Sequence, residues 1–117
     1  MTAQTPQTAL VIGAGPAGLM AADVLSAAGV QVTVADRMPS VGRKFLMAGK
    51  SGLNMTKDED TAACLAAYGD ATEALRDAVA AFGPAEVMAW AEGLGQPLFT
   101  GSTGRVFPVA MKASPLL

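Results

Sequence analysis

The sequence predicts an α/β chain that opens on a strand, helix, strand unit of the doubly wound parallel kind, then passes through short helices to a short β-hairpin. Three observations predict it. A short apolar run, Thr8 to Ile12, leads into a glycine-rich turn; the turn leads into an Ala- and Leu-rich stretch closed by Gly29; and Val30 to Ala35 alternates β-branched residues with smaller or more polar ones. At 117 residues the chain holds one small domain or a piece of a larger one, and a two-domain enzyme does not fit.

Met1 to Gln7 is polar without Lys or Arg, which reads as a flexible leader (1–7) and not as the charged start of a secretory signal. The remainder, 8–117, carries all of the predicted elements. Thr8 to Ile12 has the length and composition of a strand buried on both faces. Leu19 to Ala28 is a strong helix-forming run, and Val30 to Ala35 makes a second strand that ends at Asp36.

Between the first strand and the helix lies Gly13-Ala14-Gly15-Pro16-Ala17-Gly18. If a dinucleotide binds, each part has a task. Gly13 allows the sharp turn, Gly15 keeps side chains away from a pyrophosphate, and Gly18 lets the helix pack closely. Pro16 and Ala17 begin a helix whose free N–H groups and positive dipole end face the phosphates. Asp36 can accept hydrogen bonds from both ribose hydroxyls of an adenosine, with a solvated strand end as the alternative. A glycine triplet alone is weak evidence, but here the strand, helix, second strand and acid all stand in order.

From Arg37 to Lys57 there are five basic residues, Arg37, Arg43, Lys44, Lys50 and Lys57, and no acid; from Asp58 to Glu92 there are eight acids against Arg76. A glycine-bearing basic loop can wrap a pyrophosphate, and a solvated basic loop is the bland alternative. Asn54, just past Gly52, suits the edge of a flavin or nicotinamide ring and equally suits a turn. No cysteine pair follows the nucleotide unit, so thiol–disulfide exchange is excluded, and Cys64 reads as a small buried thiol in a helix.

Asp58-Glu59-Asp60 signals a helix over Thr61 to Tyr68; a second runs from Ala71 to Phe82 with Leu75, Val79 and Phe82 on one face; a third runs from Pro84 to Glu92 with Trp90 as a core anchor. Gln96 to Thr100 and Arg105 to Val109 read as the hairpin, with Pro97 and Pro108 confined to edges or strand ends.

Composition closes off other classes. A net charge of -2 speaks against wholesale binding to nucleic acid or an anionic membrane, and no apolar stretch is long enough to span a bilayer. With no His and a single Cys, neither a disulfide nor the usual metal cage forms, and a reducing, cytoplasmic setting is expected. A mean hydropathy of +0.37 implies apolar faces meant for burial against the remainder of the same polypeptide.

Three segments together, Val11 to Leu19, Gly42 to Thr56, and Ser102 to Pro108 with Met111 to Ser114, resemble the amino-terminal part of the BaiN/YhiN-like flavoproteins, NAD(P)/FAD-dependent oxidoreductases with two dinucleotide-binding domains. The resemblance implies an incomplete Rossmann-like FAD/NAD(P)-binding domain, with FAD as cofactor and NAD(P)H as reductant. It implies that Gly13, Gly15 and Gly18 hold the pyrophosphate and Asp36 the ribose, that Arg43 and Lys44 lie along the cofactor, and that Gly52 and Asn54 approach the flavin. The chain departs from the family's commoner pattern by Asp36 in place of Glu and by Gly52-Leu53 in place of an Arg-Cys pair. No catalytic acid or base is assigned, and the substrate is left open. Two rival readings are an NAD(P)-binding domain of a nicotinamide dehydrogenase, for which Arg37 beside Asp36 leaves room for a 2′-phosphate, and a stand-alone nucleotide-binding module.

Overall fold

A computed structural model describes residues 4–117. The leader expected over 1–7 therefore lies partly outside the described residues; from Gln4 to Gln7 the chain has no regular structure, and Gln7 C=O accepts a hydrogen bond from Gln31 N–H at 2.9 Å. The chain divides into two compact units, Met1–Met47 and Ala48–Leu117.

The first unit is a parallel β-α-β arrangement: β1 (Thr8–Ile12), α1 (Pro16–Ala27) and β2 (Gln31–Ala35). β1 and β2 pair in register from Thr8 opposite Gln31 to Ile12 opposite Ala35, and Gly13 N–H extends the ladder to Ala35 C=O at 2.7 Å. The glycine turn and Asp36 therefore emerge at the same end of the sheet. Paired residues of parallel strands share a face. Ala9, Val11, Val32 and Val34 are half-buried on the face toward α1, whereas Leu10 and Ile12 on the opposite face are 63% and 83% exposed.

That last observation corrects the expectation of a first strand buried on both faces. An apolar run of five reads as buried on both faces because parallel strands normally carry helices on each side. Among the described residues of this unit, α1 supplies only one of the two layers.

The segment after Asp36, read from sequence as an unconstrained loop, contains a helix, α2 (Arg43–Ala48), and the two-residue strand β3 (Thr56–Lys57). Arg43 to Ala48 has no proline, glycine or β-branched residue, and the Leu46 N–H to Gly42 C=O bond of 2.9 Å opens it. β3 is too short for any periodicity to reveal and exists because its partner is there.

In the second unit α3 (Thr61–Ala66), α4 (Glu73–Ala81) and α5 (Pro84–Gly93) precede β4 (Leu98–Thr100) and β5 (Arg105–Pro108). Asp60 caps α3, its Oδ1 accepting from Ala63 N–H at 2.7 Å, and Glu86 Oε2 accepts from Gly83 N–H at 3.1 Å at the start of α5. The sheet is antiparallel in the order β3-β5-β4, so β5 is its centre. Pro108 is tolerated there because it is the strand's last residue, opposite Leu98. Val106 is fully buried, with Ala91 of α5, Leu53, Ala113 and Leu116 also in the core of this unit. The expected apolar face of α4 is only partly covered: Leu75 and Phe82 are exposed and Val79 is half-buried. Cys64 and Trp90 are half-buried, where burial had been expected for both.

Candidate functional site

The β1-to-α1 turn is built around one enclosed residue. Ala14 is 1% exposed, its N–H donates to Asp36 Oδ2 at 2.7 Å, and its C=O accepts from Gly42 N–H at 2.7 Å. Gly42 is buried and has φ +64°, a backbone state glycine adopts without steric cost. From sequence Ala14 reads only as a spacer in the glycine turn and Gly42 only as one of the flexible glycines of the basic loop. The only sequence signal for them is the small residue between two glycines and a lone glycine ahead of the unforeseen helix.

On either side of Ala14 the turn is open. A Cβ placed on Gly13 or on Gly15 would meet nothing within 4 Å. Gly15 is the N-cap of α1 with φ -82° and no side-chain cap, and no acidic residue sits in the first turn. The helical ladder starts with Leu19 N–H to Gly15 C=O at 2.9 Å, so the amides of Ala17 and Gly18 precede it, and Pro16 has none to satisfy. Bare amides, an unscreened positive dipole end and room beside Gly15 are what a phosphate requires. The cradle fits a dinucleotide's pyrophosphate: a side chain at position 15 would fill it.

Gly18 has a different task. A Cβ there would run into the Gly13 carbonyl oxygen, and it would lie 2.9 Å from the Gly13 carbonyl carbon and 3.3 Å from Val11 Cγ1. Only glycine lets the first turn of α1 press against the end of β1.

Asp36 is exposed, and both of its oxygens carry backbone bonds: Oδ2 from Ala14 N–H, and Oδ1 from Met38 N–H at 2.7 Å. The bond from Ala14 and then that from Met38 hold its pKa below the ordinary 3.8, with partial desolvation opposing them and Arg37 and Arg43 adding smaller attraction. Arg37, Arg43 and Lys44 are exposed, and Arg43 Nη1 donates to Ser40 Oγ at 3.2 Å. These residues, with Gly13, Gly15, Pro16, Ala17 and Gly18, all belong to the first unit.

Gly52 and Asn54 belong to the second unit. A Cβ on Gly52 would lie 3.1 Å from Met111 Cε, and Met111 itself has φ +59°. Asn54 is exposed beside the buried Leu53. Two of the segments that carry the family resemblance thus meet: Gly49 and Gly52 lie against Met111 and Ala113, and Thr56 and Lys57 pair with Val106 and Arg105. Lys57, the last of the basic run, sits in that sheet, 3.9 Å from Glu59.

Among the described residues no group of His, Cys, Asp and Glu could hold a metal ion, and no helix is long and apolar enough to cross a membrane.

Comparison with known proteins gives one family: the HI0933-like protein Rossmann domain matches residues 7–117. Several curated relatives carry partial matches. The chain is 54% identical over 39 residues, 33% of its length, to the glutamate synthase (NADPH) small chain of Escherichia coli. It is 46% identical over 54 residues, 46% of its length, to the ribosomal RNA dihydrouridine synthase of Haemophilus influenzae. These matches span 8% and 14% of the two proteins' own lengths.

Proposed function

The chain belongs to the HI0933-like Rossmann-domain family, and on that premise we propose that it forms the FAD-binding opening of a flavin-dependent oxidoreductase reduced by NAD(P)H. The membership agrees with the resemblance drawn from the sequence, and the parallel β1-α1-β2 unit is of the Rossmann kind. The observation that carries the reading is the space beside Gly15 at the uncapped start of α1.

In this reading the amides of the turn and of Ala17 and Gly18 bind the pyrophosphate, and Asp36 accepts from the adenosine ribose. Arg37, Arg43 and Lys44 neutralise phosphate charge. Gly52 and Asn54 border the flavin side. A flavin held there would supply hydride and electron-transfer chemistry, and the part of this chain is to bind and orient it.

The absorption spectrum of the purified protein that carries this chain is the test. Visible flavin bands that persist through gel filtration support the proposal. A colourless protein that still binds NAD(H) selects the nicotinamide dehydrogenase instead.

A second reading concerns the substrate. One relative is named for dihydrouridine synthesis in ribosomal RNA, and the match to it covers 46% of this chain. Dihydrouridine mapping of ribosomal RNA from cells with and without the protein tests it: loss of a modified position supports an RNA substrate, and an unchanged map directs the search to small molecules.

A further inference from the structure

We propose that Asp36 is a positioning residue for the phosphate turn, acting through Ala14, in addition to any bond it makes to the ribose. The proposal rests on the dinucleotide reading above and assigns that site a source of its rigidity.

The two peptide planes of the turn are each held from outside. Ala14 N–H, in the plane shared with Gly13, donates to Asp36 Oδ2 at 2.7 Å. Ala14 C=O, in the plane shared with Gly15, accepts from Gly42 N–H at 2.7 Å. A trans peptide points its carbonyl and its N–H in opposite directions, so fixing the Ala14 carbonyl also fixes the direction of Gly15 N–H, the donor beside the open cradle. The carboxylate is fixed in turn, because Oδ1 accepts from Met38 N–H at 2.7 Å. Each oxygen keeps acceptor capacity for a ribose hydroxyl.

The physical consequence is preorganisation. The glycines that make room for a phosphate also leave the turn free to adopt many backbone states, and a ligand would have to freeze them on binding. Bonds to an ionised carboxylate are the stronger kind, so Asp36 removes part of that cost before the ligand arrives. A ribose contact alone does not require the bond from Ala14 N–H to Asp36 Oδ2, and Ala14 itself is enclosed, 1% exposed.

The test measures affinity of the cofactor-free protein carrying this chain for ADP and for 2′,3′-dideoxy-ADP, in wild type and Asp36→Ala. Asp36→Ala is expected to weaken ADP by about 10- to 100-fold. If Asp36 acts through the turn, at least half of that loss on a logarithmic scale persists with the dideoxy ligand, which has no ribose hydroxyl to lose. If less than half persists, Asp36 acts through the ribose and the proposal falls.

Asp36→Asn guards against a variant that does not fold. It keeps the shape and can still bond a ribose hydroxyl, but it has one acceptor oxygen for two backbone donors. Hydrogen exchange at the Ala14 amide in the nucleotide-free protein should be at least about tenfold slower in wild type than in Asp36→Asn. Equal rates overturn the proposal. Wild-type protein that binds neither nucleotide would remove the dinucleotide reading itself, and the exchange measurement would still decide whether Asp36 holds Ala14.

Discussion

A side chain built on Gly15 in the first unit would meet nothing within 4 Å, whereas one built on Gly49 in the second would lie 2.6 Å from Ala113 Cβ and 2.7 Å from its backbone nitrogen. The same residue type serves opposite ends. At Gly15 the missing side chain leaves a volume that the chain does not fill; at Gly49 it lets one segment of protein press against another. The sheets differ in the same sense. The parallel pair of the first unit turns Leu10 and Ile12 to the outside, while the antiparallel sheet of the second buries Val106 beneath its own helices and loops. Glycine spacing alone cannot separate a binding turn from a packing turn. Open volume is not enough either, because Gly29, Gly69, Gly93 and Gly95 share it; Gly15 differs from these in standing at the uncapped start of α1, just after a strand.

The contrast can be broken at four points. The largest effect is expected at Gly18, which is packed although it belongs to the binding turn: Gly18→Ala drives a Cβ into the backbone of Gly13, and with no flexible side chain to yield, the cost should exceed about 4 kcal/mol. Loss of a cooperative melt and of bound flavin together would register it. Gly15→Val, at a position with negative φ and open surroundings, should abolish flavin retention while changing the melting temperature of the cofactor-free protein little. Flavin content equal to wild type would show that the cradle is not the phosphate site. Gly49→Ala should cost about 1–3 kcal/mol in denaturant unfolding, because Ala113 must shift to admit the new methyl group. Unchanged stability would mean that the second unit packs more loosely than the distances imply.

The smallest effect concerns pH. The folded-state pKa of Asp36 lies below its unfolded value near 3.8. The native state therefore favours the ionised form, and the stabilisation is complete above the unfolded pKa and fades as pH falls through the lowered one. The difference in melting temperature between wild type and Asp36→Asn should be constant from about pH 5 to 8 and shrink below about pH 4. A difference that grows on acidification would contradict the hydrogen bonds drawn to this carboxylate.

Much of the first unit was legible because local chemistry and long-range structure agree there. The bounds of β1 follow from Thr8 to Ile12, and Pro16 and Gly29 bracket α1 as start and stop signals. The β4–β5 hairpin was legible from two short runs around a Gly-Ser-Thr-Gly turn. The helix at Arg43–Ala48 was hidden by its charges, which drew attention to phosphate binding and away from a run of good helix formers. β3 was illegible because two residues carry no period, and the central place of β5 was illegible because it depends on β3. At the site, the glycines, Pro16 and Asp36 were legible as a motif; the bonds that tie Ala14 to Asp36 and to Gly42 were not.

By itself the sequence determined which residues could form the turn: glycines where side chains are forbidden, a proline where no amide is needed, an acid at the end of a β-branched strand. Those are properties of single residues and near neighbours, so a linear string records them. Only tertiary structure decided that the acid's oxygens face Ala14 and Met38, that Gly42 closes on the Ala14 carbonyl, and that Gly18 is packed while Gly15 is open. The reason is that hydrogen-bond direction and free volume depend on how distant backbone segments meet in space, and residue identity alone does not encode that meeting.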